Sequence, residues 1–315
     1  MNSNTGTLAG GAWSSGLFGN ALSLDGQSQV NVANSGSLNP TNAITVSAWV
    51  YDNSGGWYTN PRILEKGKSG NQYALFANGN ANQLGFSVAG VSNGTLITTP
   101  PSSSAWHHLA GTYDGSLISL YVDGQLAAQQ SASGLLPTTS DGLAVGGRPS
   151  GSLLYQFNGV IDEVRVYGRA LSAGEIVQLY NADTVGDGIA NWWRLQYFGN
   201  GSVTGATTCA TCDYDKTGQN NFFKFVAGLD PTDPTSVFVL QIAGVTNQIS
   251  QETLLFIPLA LGRTYTPQFS TDLVSGIWLP LTAYAGPLTN GNQVTISDTN
   301  AIIPNKFYRL HISWP

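Results

Sequence analysis

Charge is scarce in this chain: charged residues make up 10% of 315, against roughly a quarter in ordinary domains. Only 12 residues are basic, and Lys66 and Lys68 are the densest pair. The clustered cations that neutralise phosphate are missing, and with a net charge of −6 this excludes nucleic acid as a partner. No apolar run approaches the ~18 residues of a spanning helix, so no membrane span is expected. The first residues carry neither a basic nor an apolar leader region, so no signal peptide is read there. Glutamate occurs four times, at Glu65, Glu163, Glu175 and Glu252. Cysteine occurs twice, as Cys209-x-x-Cys212. The three histidines lie far from this pair in sequence and a βαβ setting is lacking. The spacing therefore reads first as a local disulfide, with half a zinc site or a redox pair as alternatives.

Glycine is abundant, at 38 residues, and short alternating apolar segments recur at 21–24, 29–32, 44–51, 73–76, 84–88, 107–113, 117–122, 143–146 and 159–167. Asp-Gly or Asn-Gly pairs separate many of them, as at Asp25-Gly26, Asn78-Gly79 and Asp123-Gly124. Such spacing predicts an all-β sandwich or jelly roll over 1–180. Ser172 and Glu175 form a capping box that starts one short helix. Trp49, Trp106, Tyr113 and Tyr121 read as core, and His107 and His108 fall on opposite faces of one strand. From 181 to 236 the character changes. Asp and Asn cluster around two amphipathic pieces, 192–198 and 222–227, and Asp230-Pro-Thr-Asp-Pro234 closes the segment. Strand patterns return at 237–242, 253–257, 265–269, 277–281, 293–296 and 306–312, so 237–315 reads as a second, small β-sandwich.

Four motifs in order carry a family likeness: FGNALSLDG at 18–26, ITVSAWV at 44–50, WHHLAGTYDGSLISLYVDG at 106–124 and FNGVIDEVRVYGRALSAGEI at 157–176. They resemble the laminin G-like, concanavalin A-like lectin/glucanase superfamily of secreted bacterial proteins. The resemblance implies a jelly roll, and one that hosts many functions. It also implies a structural calcium ion where the LDG turn meets the IDE strand, which nominates Asp25 and Asp162. The family's glucanases place acids on one strand face as Glu-x-Asp-x-x-Glu or Glu-x-Asp-x-Glu, and that pattern is missing here. Asp162 and Glu163 are adjacent and point to opposite faces, so the chain is not expected to be a glycosidase. A Gly-x-Ser-x-Gly elbow is missing as well.

The middle segment resembles the type 3-repeat or dockerin-like calcium linkers of such proteins. Asp183 and Asp187-Gly188 fit positions one, five and six of a calcium loop. Asp213, Asp215, Thr217 and Gly218 fit positions one, three, five and six of a second. Position twelve, a bidentate Glu in the pattern, is Arg194 in the first loop and Lys224 in the second. Calcium is expected somewhere in the chain. The last segment, with YTPQFSTDLVSGIWLPL at 265–281 and FYRLHI at 307–312, looks like the C-terminal β-modules appended to large secreted proteins.

A glycan surface needs aromatic faces with polar groups beside them. The polar loop after the strand at 44–51 offers Trp57 and Tyr58 beside Asp52 and Asn60, with Arg62 adding a hydrogen-bonding fork. A second stretch runs from Arg148 to Tyr155. Strands are first legible near Ala21, and the Gly-rich stretch before it predicts an open sheet edge that recruits neighbouring strands. The expected function is a secreted, extracellular carbohydrate- or surface-binding module with structural calcium, acting in adhesion. The alternatives are a self-assembling cell-surface protein and a non-catalytic part of a polysaccharide-degrading enzyme.

Overall fold

The computed structural model describes residues 4–18, 20–57, 60–68, 71–78, 81–149, 155–182, 185–201, 204–242, 251–301 and 306–314. They form two compact units, one of residues 1–184, 190–195 and 200–202, the other of 185–189, 196–199 and 203–315. The segment 181–236 is thus shared between them. Both units are β-rich and antiparallel, as the alternation requires.

The first unit is a sandwich of two seven-stranded sheets. With strands numbered along the chain, the first sheet runs β1 (Gly6–Ala9), β4 (Gln29–Val32), β15 (Leu143–Val145), β6 (Arg62–Lys66), β7 (Tyr73–Asn78), β8 (Gln83–Val88) and β10 (Thr95–Thr98). The second runs β13 (Gln125–Ser131), β12 (Leu117–Val122), β11 (Trp106–Tyr113), β5 (Ile44–Asp52), β16 (Asn158–Tyr167), β3 (Asn20–Asp25) and β2 (Ala12–Ser15). A two-residue pairing joins β9 (Val91–Ser92) to β14 (Ser133–Gly134). Two strands, β1 and β2, precede the one expected near Ala21, so that expectation is corrected. They edge opposite sheets, and Gly10 and Gly11, with φ of 78° and 73°, join them. A Cβ on Gly11 would stand 2.7 Å from the Ser23 carbonyl oxygen, so only glycine makes this crossing.

The two inner faces interdigitate. Val46, Val50, Leu109, Leu120 and Ile161 of the second sheet pack with Leu64, Tyr73, Leu75 and Phe86 of the first, all fully buried or nearly so. Trp49, Tyr113 and Tyr121 are buried, as their strand positions predict. The outer face of the second sheet is roofed by α1 (Ala173–Tyr180), whose Ile176 joins Ala110, Tyr121 and Leu171 in a small cluster. Its capping box is present as read, with Ser172 Oγ accepting from Glu175 N. Trp49, Tyr180 and Trp192 then stack in file with ring centroids 5.5 Å apart.

The second unit holds a four-stranded sheet, β17 (Val239–Ile242), β18 (Glu252–Ile257), β22 (Gln293–Asp298) and β21 (Tyr284–Asn290). Beside it runs a three-stranded one, β20 (Leu279–Pro280), β19 (Thr264–Ser270) and β23 (Phe307–Ser313). Leu254, Phe256, Val294 and Ile296 are its buried centre. The amphipathic pieces of the middle segment are α2 (Asn191–Phe198) and α3 (Asn221–Ala227). Among the described residues, no helix is long and apolar enough to cross a membrane.

Candidate functional site

The outer face of the first sheet is the one turned away from the core it shares with the second. Register sets one row of side chains there: Thr7, Asn31, Ala144, Glu65, Ala74, Ser87 and Thr95 are partners across β1, β4, β15, β6, β7, β8 and β10. The row is small-residued around Glu65, and its two neighbours in the row, Ala144 and Ala74, are buried. Glu65 is itself fully buried, because two arginines close over it. Arg62 Nε donates to Glu65 Oε2 at 2.8 Å, and Arg148 Nε lies 2.8 Å from Oε1. A buried carboxylate needs this pairing, since desolvation without a counter-charge costs several kcal/mol.

Aromatic rings position the arginines. The Arg148 guanidinium lies 3.6 Å from the Tyr155 ring centroid, and Arg62 lies 4.9 Å from it and 5.0 Å from Phe76. Phe76 in turn lies across Gly85, where a Cβ would meet its ring at 2.4 Å. Arg62 Nη1 also donates to the Asn60 carbonyl at 3.0 Å. Arg62 Nη2 and both Nη atoms of Arg148 have no partner among the described residues. A cleft of about 280 Å³ opens here, lined by Arg62, Glu65, Phe76, Ser87, Thr95 and Arg148. Burial pushes the Arg62 guanidinium below its usual range, the Glu65 carboxylate pulls it back, and the nearby Arg148 charge adds to the depression. The arrangement is a fixed fork of donors on an aromatic seat, at the edge of a shallow cleft.

Sequence reasoning named Arg62, Asn60 and Tyr155, and these converge, but it missed Glu65 and Phe76. The available signal was a glutamate inside the apolar run Ile63-Leu64, in a chain with four glutamates. Trp57 is a correction. It is 2% exposed and belongs to the core, its Nε1 donating to the Pro101 carbonyl at 2.9 Å, so it offers no face to a sugar. Asp52 causes this: its carboxylate accepts from Ser54 N, Ser54 Oγ, Gly56 N and Trp57 N, curling the loop so that the ring turns inward. Asp52 is therefore spent on the loop. Tyr155 is corrected in role, since the Arg148 guanidinium covers a face of its ring. Tyr58 lies outside the described residues.

The proposed calcium pair of the jelly roll is not brought together. Asp25 stands opposite Asn158 in the β3–β16 ladder, four residues from Asp162, or about 13 Å along a strand. Asp25 Oδ1 accepts from Gln27 N and Ser28 Oγ, an Asx turn that holds the carboxyl below its ordinary value, Ser28 contributing most. Burial raises the Asp162 carboxyl, and hydrogen bonds from Phe18 N and Glu163 N offset part of the rise. Among the described residues no three His, Cys, Asp or Glu side chains cluster as a metal site.

In the middle segment Cys209 and Cys212 form a disulfide, with Cα atoms 5.1 Å apart. Asp187 accepts from Ile189 N and Ala210 N, and Asp183 lies outside the described residues. Asp213 accepts from Thr217 N and Gly218 N. Asp215 accepts from Thr217 Oγ1 and from Lys224 Nζ, and both members of that ion pair are almost fully buried. Burial alone would raise the Asp215 carboxyl, but the bonds from Lys224 and Thr217 hold it below its ordinary value. Elsewhere, His107 Nδ1 lies 2.7 Å from Asp123 Oδ2 and its Nε2 lies 3.2 Å from Ser102 Oγ. Asp123 Oδ1 also accepts His108 N, which makes this chain a clamp on the β11–β12 hairpin.

The first unit is an antiparallel β-sandwich, and a family comparison bears on it. The Laminin_G_3 family profile, described as the concanavalin A-like lectin/glucanases superfamily, matches residues 24–177. The first unit therefore carries a domain of that superfamily. No curated protein matches the chain. Among solved structures, the binding domain of Paraclostridial Mosquitocidal Protein 1 is 17% identical over 56% of this chain, with a TM-score of 0.44. The chain spans 47% of that structure's length. Domain 4 of AbnA, a GH43 extracellular arabinanase from Geobacillus stearothermophilus, in complex with arabinotriose, is 20% identical over 56% of this chain and 87% of its own, with a TM-score of 0.42. The Ruminococcus gnavus IT-sialidase CBM40 bound to alpha2,3 sialyllactose is 19% identical over 51% and 96%, with a TM-score of 0.37. These are likenesses of fold alone.

Proposed function

We propose that the chain is a carbohydrate-binding module and that the cleft on the outer face of the first sheet is its binding site. The observation that carries this reading is the Arg62–Glu65–Arg148 group, seated on Tyr155 at a shallow cleft whose lining includes Ser87 and Thr95. Planar forked donors beside small hydroxyl side chains suit a pyranose edge, and a shallow cleft open along a sheet suits a polymer. Membership of the first unit in a lectin/glucanase superfamily supports the same class. The Cys209–Cys212 disulfide supports an extracellular setting. The test is retention of the full chain on a panel of insoluble polysaccharides. Retention that Arg148→Ala abolishes supports the reading, and no retention on any polymer sinks it.

One observation favours a second reading, assembly. Beyond Ile161 the described residues of β16 pair with β5 alone, while β3 has already left the ladder. An apolar cleft of about 1210 Å³ opens between the sheets at this place, with Val30, Val32, Val145, Val164 and Val166 in its walls. An unpaired edge above an apolar slot accepts an extended strand, here from a second copy of the chain. Sedimentation that finds only monomer at high concentration rejects it.

A further inference from the structure

The geometry points to a carboxylated sugar, such as a uronate, as the ligand class of the outer-face cleft; this rests on the carbohydrate reading above. Two guanidinium groups share one carboxylate, so the site holds one uncompensated positive charge. The chain as a whole carries −6, which makes this local excess a feature of the cleft rather than of the surface. The side chains of Arg62 and Arg148 are only 15% and 13% exposed, so the charge is poorly screened by water. Arg62 Nη2 and both Nη atoms of Arg148 have no partner among the described residues. The Arg148 Cζ lies 3.6 Å from the Tyr155 ring centroid, so the ring seats the guanidinium while its two Nη atoms can serve as a bidentate fork. A carboxylate matches that fork in shape and charge, while a hydroxyl matches it only in hydrogen bonding. Ser87 and Thr95 then stand beside it to meet ring hydroxyls.

The experiment is titration of the full chain with polygalacturonate and with alginate, each beside its carboxyl-reduced form, at low and raised ionic strength. The expected result is tighter binding to the acidic polymers by about tenfold or more, weakening as salt rises. Arg148→Gln should erase the preference. If that variant does not fold, the salt dependence of the wild-type chain still decides. Equal binding to the acidic and reduced forms overturns the anionic ligand and leaves the carbohydrate reading standing. No binding to either form overturns both.

A separate observation concerns the second linker loop. We infer that Lys224 is its resident cation and that this loop needs no calcium. Lys224 Nζ donates to Asp215 Oδ2, to the Ser236 carbonyl at 2.9 Å and to the Asp230 carbonyl at 3.4 Å. This oxygen set suits a hard cation, and an ammonium already sits in it. Lys224 occupies position twelve, where the calcium pattern has its bidentate Glu, so one change removes an anion and supplies the missing charge. The three donors of the ammonium find three oxygens, which a fully buried lysine requires. In the full chain, calcium and chelator should give the same thermal midpoint for the wild type, and Lys224→Glu should acquire a calcium-dependent one. A wild-type midpoint that calcium raises, and that Asp215→Asn no longer shows, would overturn the inference.

Discussion

The guanidinium of Arg148 lies over the ring of Tyr155, 3.6 Å from its centroid, and the same arginine lines the cleft. Replacing Tyr155 with Leu should leave the fold intact, with a cost of about 1 kcal/mol from the lost cation–π contact. It should weaken retention on bound polysaccharide by several-fold, because the fork is no longer pre-oriented. Tyr155→Phe keeps the ring and should behave as wild type. Affinity electrophoresis of the three proteins reads the difference, and equal loss in the Phe and Leu variants would reject a positioning role.

Glu65→Gln removes the carboxylate between two half-buried guanidinium groups. Breaking a buried ion pair from one side costs about 3–5 kcal/mol, so the midpoint of chemical denaturation should fall clearly. A variant as stable as wild type would mean that solvent already screens both arginines.

His108 is buried against Trp49, and burial holds its imidazole at about 4, below its ordinary value of 6.5. The native ring is therefore neutral while the unfolded ring still binds a proton. Stability is fully present above about pH 6.5 and drains away as pH falls towards 4, by up to about 3 kcal/mol. Thermal midpoints measured from pH 7 to 5 should fall for wild type and stay nearly level for His108→Phe, over a range where carboxylates contribute little.

Gly111 of β11 faces Phe86 of β8 across the sandwich, and a Cβ there would stand 2.3 Å from the ring. Gly111→Ala should destabilise the first unit by about 1–3 kcal/mol through overpacking. The companion change Phe86→Leu should recover part of it. Differential scanning calorimetry of the single and double variants measures the coupling.

Most of the frame was legible because apolar residues alternate with small or polar ones in short runs bounded by turn pairs. Gln29–Val32 and Ile44–Asp52 read directly from alternation, and Ser172 with Glu175 read directly as a cap. The strand that builds the site did not. Arg62–Lys66 breaks the alternation, since Ile63 and Leu64 are both buried across a bulge, and Glu65 and Lys66 are buried on opposite sides. Gln125–Ser131 is a largely exposed strand and lacks an apolar face to detect. Trp57 failed differently: an aromatic in a polar loop is ambiguous until the four hydrogen bonds to Asp52 are known. Lys224 was legible only as a lost calcium ligand. That its ammonium reaches the loop's own oxygens is a three-dimensional fact.

The crossing at Gly10 and Gly11 has a mechanical side. Through it, one short stretch of chain serves as the terminal strand of both sheets, β1 against β4 and β2 against β3. Tension entering from the residues before Gly6 meets four paired residues of the first sheet. Only when they have parted does it reach the second, so the sandwich would yield to a pull as a two-stage tether and lengthen before its core is breached.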